Sequence, residues 1–366
     1  NYKFQPMLLN NKLFPTLVIG SLPRDRYILK ILELINSGRI DEVNSEKILD
    51  KAVLRAIAIQ EKAGLDFVSD GELRRNSYLR VFVDAVDGFE LDKLPPTRFS
   101  TSSLPTIVSK IQQKHSLSIK AASFLKKSAK VGTIATIPSP YTIAGKLWSK
   151  KHSSKAYVDP GEAMDACIQI INREIKLLAA IGIDVIQLDE PWLGDVPNPE
   201  YRESQGILDI GRELDMYVRS VNGAVKGVKG TSLSVHVCGH TSPTTVGNQN
   251  WPYKQLMEAL GQMNVDRITI AMAGPNISGF KVLENFPNGK LIGLGVLRTK
   301  DPNSQTIKEV VERVERAMEY IPQELITINP ECGFAPSKRN IHDLNEVYTL
   351  LKYLCEAAEI LRNKYA

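Results

Sequence analysis

The residues best able to do chemistry in these 366 amino acids lie in a run of nine, Ser232-Leu-Ser-Val-His-Val-Cys-Gly-His240. The run is apolar and β-branched, so it reads as a strand, and its two most reactive members are spaced two apart. Alternate strand residues project to the same face, which points His236 and Cys238 at one place. An imidazole and a thiol held together are two of the ligands a tetrahedral zinc site takes. By itself the pair also fits a core histidine beside a core cysteine. A third ligand is available in Cys332, inside Glu331-Cys332-Gly333, and carboxylates follow two other apolar runs, in Asp70-Gly71-Glu72 and Asp189-Glu190.

The elements that must carry these groups can be read from periodicity. Short apolar runs appear at Thr16 to Gly20, Asp66 to Asp70, Val131 to Ile137, Asp184 to Leu188, Ser232 to Cys238, Arg267 to Ile270, Lys290 to Val296 and Glu324 to Ile328. Between them lie amphipathic patterns of helical period: one ending near Ile35, then Glu46 to Ala63 capped by Asn44 or Ser45, Pro160 to Ala180, Ile207 to Val221, Ser304 to Tyr320 and Ile341 to Asn363. Strands alternating with helices predict an α/β fold, a (β/α)8 TIM barrel in a single domain over residues 1–366. The irregular stretch 78–130, with Pro95-Pro96 and the hydroxyl-rich Ser100 to Ser103, reads as an inserted hairpin and short helix after the second strand. Barrel enzymes place their chemistry where strands run out into the following loops. Gly20-Ser21, Glu72, Asp189, His236, Cys238 and Cys332 all fall there, on one rim. Cys167 and Cys355 fall on core-facing positions of helices and read as packing residues.

A site with two thiols and an imidazole favours one kind of reaction. Metal binding deprotonates a thiol outright and creates a nucleophile at neutral pH, whereas zinc already carrying two thiolates activates water less well. Thiol alkylation is expected over hydrolysis, with Glu72 and Asp189 suited to an ammonium group on the thiol substrate. Composition is consistent with a globular enzyme, 43% apolar and 24% charged. The net charge of +5 is scattered, without the continuous basic stripe that nucleic-acid binding needs. No run is long enough to cross a membrane, the start Asn1-Tyr-Lys-Phe-Gln-Pro lacks an apolar signal segment, and four scattered cysteines form no disulfide framework. The cytoplasm is the expected compartment.

Taken together, Ile19-Gly-Ser21, Asp70-Gly-Glu72, Pro140-Tyr-Thr142, Gln187-Leu-Asp-Glu-Pro191, His236-Val-Cys238 and Cys332-Gly-Phe334, in this order, resemble the cobalamin-independent methionine synthase family, specifically its catalytic carboxyl-terminal barrel. The resemblance runs from Leu17 nearly to the end. It implies a zinc-dependent methyltransferase with His236, Cys238 and Cys332 as metal ligands. It also implies that Ile19, Ser21, Glu72 and Asp189 hold the backbone end of homocysteine. Full-length members carry a second barrel that helps bind polyglutamyl folate. A chain without one resembles the short core form, for which methylcobalamin, free or on a corrinoid protein, is the expected donor. Trp148 and the Pro138 to Tyr141 loop are candidates to face that donor, Trp148 by stacking.

The family's fourth zinc ligand is a glutamate after the sixth strand, where this chain has Ala271. Glu258, His240, Glu331, water or the substrate thiolate are the candidates for that position; His240 also reads as a loop residue capping backbone groups. The ligand set without the glutamate also resembles epoxyalkane:coenzyme M transferase, and a non-catalytic thiol-binding or corrinoid-docking subunit is the remaining alternative.

Overall fold

A computed structural model describes residues 12–94, 104–238, 252–299, 305–335 and 343–366. Among the described residues are nine strands: β1 Phe67–Val68, β2 Val86–Leu94, β3 Leu104–Gln113, β4 Gly132–Pro138, β5 Val185–Glu190, β6 Ser232–Val237, β7 Arg267–Ala271, β8 Leu291–Leu297 and β9 Ile326–Pro330. Seven form one parallel sheet in the order β1-β4-β5-β6-β7-β8-β9. Its edges are joined by the segment 15–17. Leu17 N donates to the Ile328 carbonyl of β9 at 3.1 Å, Ile328 N to Pro15 O at 2.9 Å, and Phe67 N of β1 to Thr16 O at 3.1 Å. The sheet is therefore a closed (β/α)8 barrel whose eighth stave is this short segment.

The first predicted strand is thus shorter than its apolar run, reduced to one parallel bridge between Thr16 and Ile328. The second is reduced to two residues. In both places side chains take over backbone partners: Asp66 accepts from Thr16 N and Thr16 Oγ1, each at 2.9 Å, and Asp70 Oδ1 accepts from Glu72 N, also at 2.9 Å. Helix Glu42–Ala63 begins four residues earlier than its sequence pattern indicates, because Asp41 accepts from Asn44 N and caps it. Helices Ile210–Val225, Ile307–Met318 and Leu344–Tyr365 take the places expected of them, and Ser304 and Ile341 lie outside the described residues.

Strands β2 and β3 form an antiparallel hairpin inserted after β1. The helix that follows, Ile119–Ser128, packs on β4 and between helices Glu42–Ala63 and Pro160–Ala180, so it is a member of the barrel's outer ring and the hairpin is the added part. Pro95, Pro96 and Ser100 to Ser103 lie outside the described residues. The long helices bury one apolar stripe each; Pro160–Ala180 buries Met164, Cys167, Ile170, Ile171, Ile175 and Leu178. Each such side chain contributes roughly 1.5–3 kcal/mol. Cys167 and Cys355 lie in that layer, fully or nearly buried, and burial pushes both thiols up, Cys355 to about 12. No described helix is long and apolar enough to cross a membrane.

Candidate metal centre

Strand β6 pairs residue for residue with β5 on one side and β7 on the other, which sets His236 beside Asp189 and beside Thr269. Alternation then aims Ser234 and His236 into the barrel, with Cys238 just past the strand end. Cys332 follows β9 on the turn into Gly333. The ligand atoms of His236, Cys238 and Cys332 lie within 4.8 Å of one another, and the two sulfurs are 3.7 Å apart. Cys238 and His236 are 5% exposed, so the cluster sits at the floor of the rim.

The imidazole is oriented from behind. Its Nδ1 is 3.2 Å from Asp189 Oδ1, which also accepts from Gln187 Nε2 at 2.9 Å; the same Gln187 nitrogen donates to the Ile19 carbonyl at 2.8 Å. A chain Ile19, Gln187, Asp189, His236 therefore fixes the ring and its tautomer, and Nε2 is left buried without a hydrogen-bond partner. A carboxylate behind a histidine with its other nitrogen free is how a metal-binding imidazole is usually held. Burial alone would lower the His236 pKa, but the hydrogen bond and charge of Asp189 outweigh it and leave the ring more basic than usual. The facing thiol of Cys238, together with burial, pushes Cys332 up. Two thiols and an orphaned ring nitrogen packed this closely fit a zinc ion.

Glu72 reaches the same rim by a strained route. Gly71 and Glu72 both have left-handed backbone, φ 66° and 57°, and Asp70 holds the turn through Glu72 N. The carboxylate accepts from Thr136 Oγ1 at 2.7 Å and sits 3.4 Å from Arg75. Burial raises its pKa, and Arg75 pulls it part of the way back. Gly20 is required beneath it, since a Cβ there would lie 2.7 Å from Glu72 Oε1. Ser21 joins the Cys332 loop: its carbonyl accepts from Phe334 N at 2.8 Å, and a Cβ on Gly333 would overlap its hydroxyl.

The other candidates have surroundings of their own. Helix Tyr253–Gln262 buries Leu256, Met257 and Leu260, which turns Glu258 to solvent beside Lys254. Glu331 follows β9, and its Oε1 accepts from the backbone nitrogen of Thr299, in the loop after β8, at 3.2 Å. His240 lies outside the described residues. Ala271 ends β7, 2% exposed and in register with Gly295. Trp148 terminates helix Pro140–Leu147, and its indole donates to the Tyr157 carbonyl at 3.1 Å, tying it to the segment behind the hairpin. Tyr141 is bound to Ser220 and Glu213 on an outer helix. Glu190 faces away from Asp189, into Ser139 and Thr142 at the start of that short helix.

A closed parallel barrel with a nitrogen-and-sulfur cluster on the rim where its strands end defines a β/α-barrel protein with a candidate catalytic metal centre. The chain belongs to the cobalamin-independent synthase family: the model of that family's catalytic domain matches residues 14–359. It is 27% identical over 354 residues to a methionine synthase of Sulfolobus acidocaldarius, covering 96% of this chain and 94% of that one. A methionine synthase of Pyrococcus horikoshii is 28% identical over 357 residues, again covering 96% and 94%. Among solved structures, a B12-independent methionine synthase from a Shewanella species, in complex with selenomethionine, superposes with a TM-score of 0.77 at 21% identity, covering 96% of this chain and 98% of that one. That likeness concerns the fold.

Proposed function

We propose that this chain is a zinc-dependent S-methyltransferase that methylates homocysteine to methionine. The observation that carries the proposal is the convergence of His236, Cys238 and Cys332, with the Asp189-backed ring presenting a free Nε2 to two sulfurs. Zinc held by these three residues would keep an incoming sulfur as thiolate at neutral pH. The chain's own groups do the rest. Glu72 and Asp189 receive the amino group of the substrate, and Ile19 and Ser21 line the same wall. Asp189 is suited to this double duty because its side chain is 14% exposed while one oxygen holds His236. The rim confines sulfur and methyl donor in line, so that the S–C bond forms as the donor–methyl bond breaks and its electron pair leaves with the donor.

The donor proposed with this reaction is methylcobalamin, free or on a corrinoid protein. It follows from the resemblance to the short core form, and this chain matches the Sulfolobus and Pyrococcus methionine synthases compared above over 94% of their length. We further take the described chain as one folding domain bearing the hairpin as an insertion, since its main apolar cluster runs from Phe14 to Leu361, with a small satellite of Ile28, Ile31, Leu32 and Leu49. A reducing compartment such as the cytoplasm suits four free cysteines, two of them at the proposed metal.

Methyl transfer to homocysteine, offered methylcobalamin and methyltetrahydrofolates separately, tests the reading. Product with the cobalamin donor is expected. Binding of homocysteine without transfer from any donor would replace the enzyme by a thiol-binding subunit, and preference for a sulfonated thiol would move the substrate to coenzyme M. Cys332→Ser and His236→Ala are expected to lose most of their zinc by metal analysis; unchanged zinc would remove the centre.

A further inference from the structure

One buried charge inside the barrel has only neutral neighbours. Arg267 opens β7, is 0% exposed, and shares the inward face of that strand with Thr269 and Ala271. Its Nε donates to Thr327 Oγ1 at 2.8 Å, Nη1 to Ser234 Oγ at 3.3 Å and Nη2 to Asn329 Oδ1 at 2.5 Å. The guanidinium reaches Asn329 across β8 only because residue 293 is glycine; a Cβ there would overlap both it and Thr269 Oγ1. Among the described residues no carboxylate lies within ion-pairing distance of it. A buried cation hydrogen-bonded to neutral groups alone is costly, so a negative partner is expected nearby.

The register says where that partner is. Ser234 is opposite Arg267 and His236 is opposite Thr269, so the Arg267 backbone lies one inward layer, about 7 Å along the strand, beneath that of His236, and its side chain extends from there to Asn329. Asn329, which it holds, is three residues before Cys332. Burial pushes the Arg267 pKa down to about 9, with no opposing charge to restore it, and its field reaches the His236 ring. The negative groups above this layer are Asp189, in register with His236, and, with zinc bound, the Cys238 and Cys332 sulfurs and any anion that joins them.

We infer that Arg267 is a specificity-determining residue of the metal centre, whose fixed charge favours an anionic sulfur as the next ligand over a neutral one. The inference rests on the zinc reading above. A thiol that joins the metal gives its proton to solvent and brings one negative charge, which the buried guanidinium attracts, whereas a neutral ligand gains nothing from that charge; this preference is independent of the Asp189 carboxylate behind His236, which is present with either ligand.

The test uses the full chain loaded with cobalt(II), whose visible spectrum reports ligand exchange, titrated with homocysteine and separately with imidazole. Arg267→Met is expected to keep its metal and its imidazole affinity and to lose homocysteine affinity roughly tenfold or more, the size of one charge at this range. Arg267→Lys, which keeps the charge, should stay within a few-fold of the parent. Arg267→Gln, which removes the charge but keeps a hydrogen-bonding end, should repeat the selective loss and decides the matter if Arg267→Met does not fold. An unchanged ratio of homocysteine to imidazole affinity in the folded variants, or equal loss of both, overturns the inference. A parent protein that binds no metal would instead overturn the zinc reading beneath it.

Discussion

At the scale of single residues, adjacent acids on β5 have opposite fates because strand side chains alternate. Asp189 faces the barrel and orients His236, whereas Glu190 is fully buried among Ser139, Thr142 and the outer helices. Burial pushes Glu190 from an ordinary 4.5 up to about 8, more than its two hydroxyl partners pull it down. The folded state therefore holds a proton that the unfolded chain releases near 4.5. The stabilisation this gives is complete below about pH 4.5 and is lost as pH rises through about 8. Denaturant unfolding at about pH 5 and about pH 9 should show that loss, several kcal/mol at most given roughly 1.4 kcal/mol per pKa unit. Glu190→Gln should flatten the slope and be the more stable protein at the higher pH; a slope equal to the parent's would place the proton elsewhere. A second residue-level expectation concerns Ala271. Ala271→Glu puts a carboxylate beside the proposed metal, and tighter zinc with slower turnover is expected; faster turnover would mean the position is not reserved for substrate.

At the scale of elements, the site depends on connections that keep the staves in place. Glu174, fully buried on helix Pro160–Ala180, accepts from Leu117 N at 3.0 Å, Ser118 N at 2.8 Å and the hydroxyls of Ser116 and Ser118, and so fixes the chain between the hairpin and helix Ile119–Ser128. Glu174→Ala strands those donors and should cost about 2–4 kcal/mol in denaturant unfolding while zinc content stays the same, because the cluster lies on other strands. Loss of zinc in the folded variant would show the hairpin coupled to the centre. The strands themselves were legible where period 2 met a glycine or proline, as at Ser232 to Cys238, and alternation sufficed to put His236 and Cys238 together. Two things were not legible. The helix after the hairpin could not be assigned to the ring from its sequence, since ring membership is a matter of long-range packing. Arg267 had a usable signal, a lone charge inside an apolar strand at an inward position, but its partners come from two other strands and no local pattern announces them.

At the scale of the molecule, the barrel is closed by polar contacts at its seam. Asp66 accepts from Thr16, Lys12 and, at 2.6 Å, Arg362, whose guanidinium also bonds the carbonyls of Leu13 and Phe14. The last helix is thereby tied to the first stave and to the start of β1. Burial raises the Asp66 pKa, but the Thr16 amide, Lys12 and Arg362 together bring it below its ordinary value. Its contribution is therefore present above about pH 4 and is lost as pH falls through the lowered value. Asp66→Asn should destabilise the protein by about 3–5 kcal/mol at neutral pH and by less near pH 3, since it leaves Arg362 partly buried and unpaired. An equal deficit at both pH values would mean that charge is not what closes the seam. This closure was only partly visible beforehand: the order of chemically able residues around one rim followed from counting strands, while the seam, built from side chains nearly 300 positions apart, did not.

The central claim is that His236, Cys238 and Cys332 hold a zinc ion whose next ligand is the substrate's sulfur. X-ray absorption at the zinc edge, before and after homocysteine is added to the zinc-loaded protein, tests it directly. The account predicts one nitrogen-type and two sulfur ligands from the chain, with a third sulfur gained on addition. Zinc that keeps two sulfurs in the presence of saturating homocysteine would contradict it.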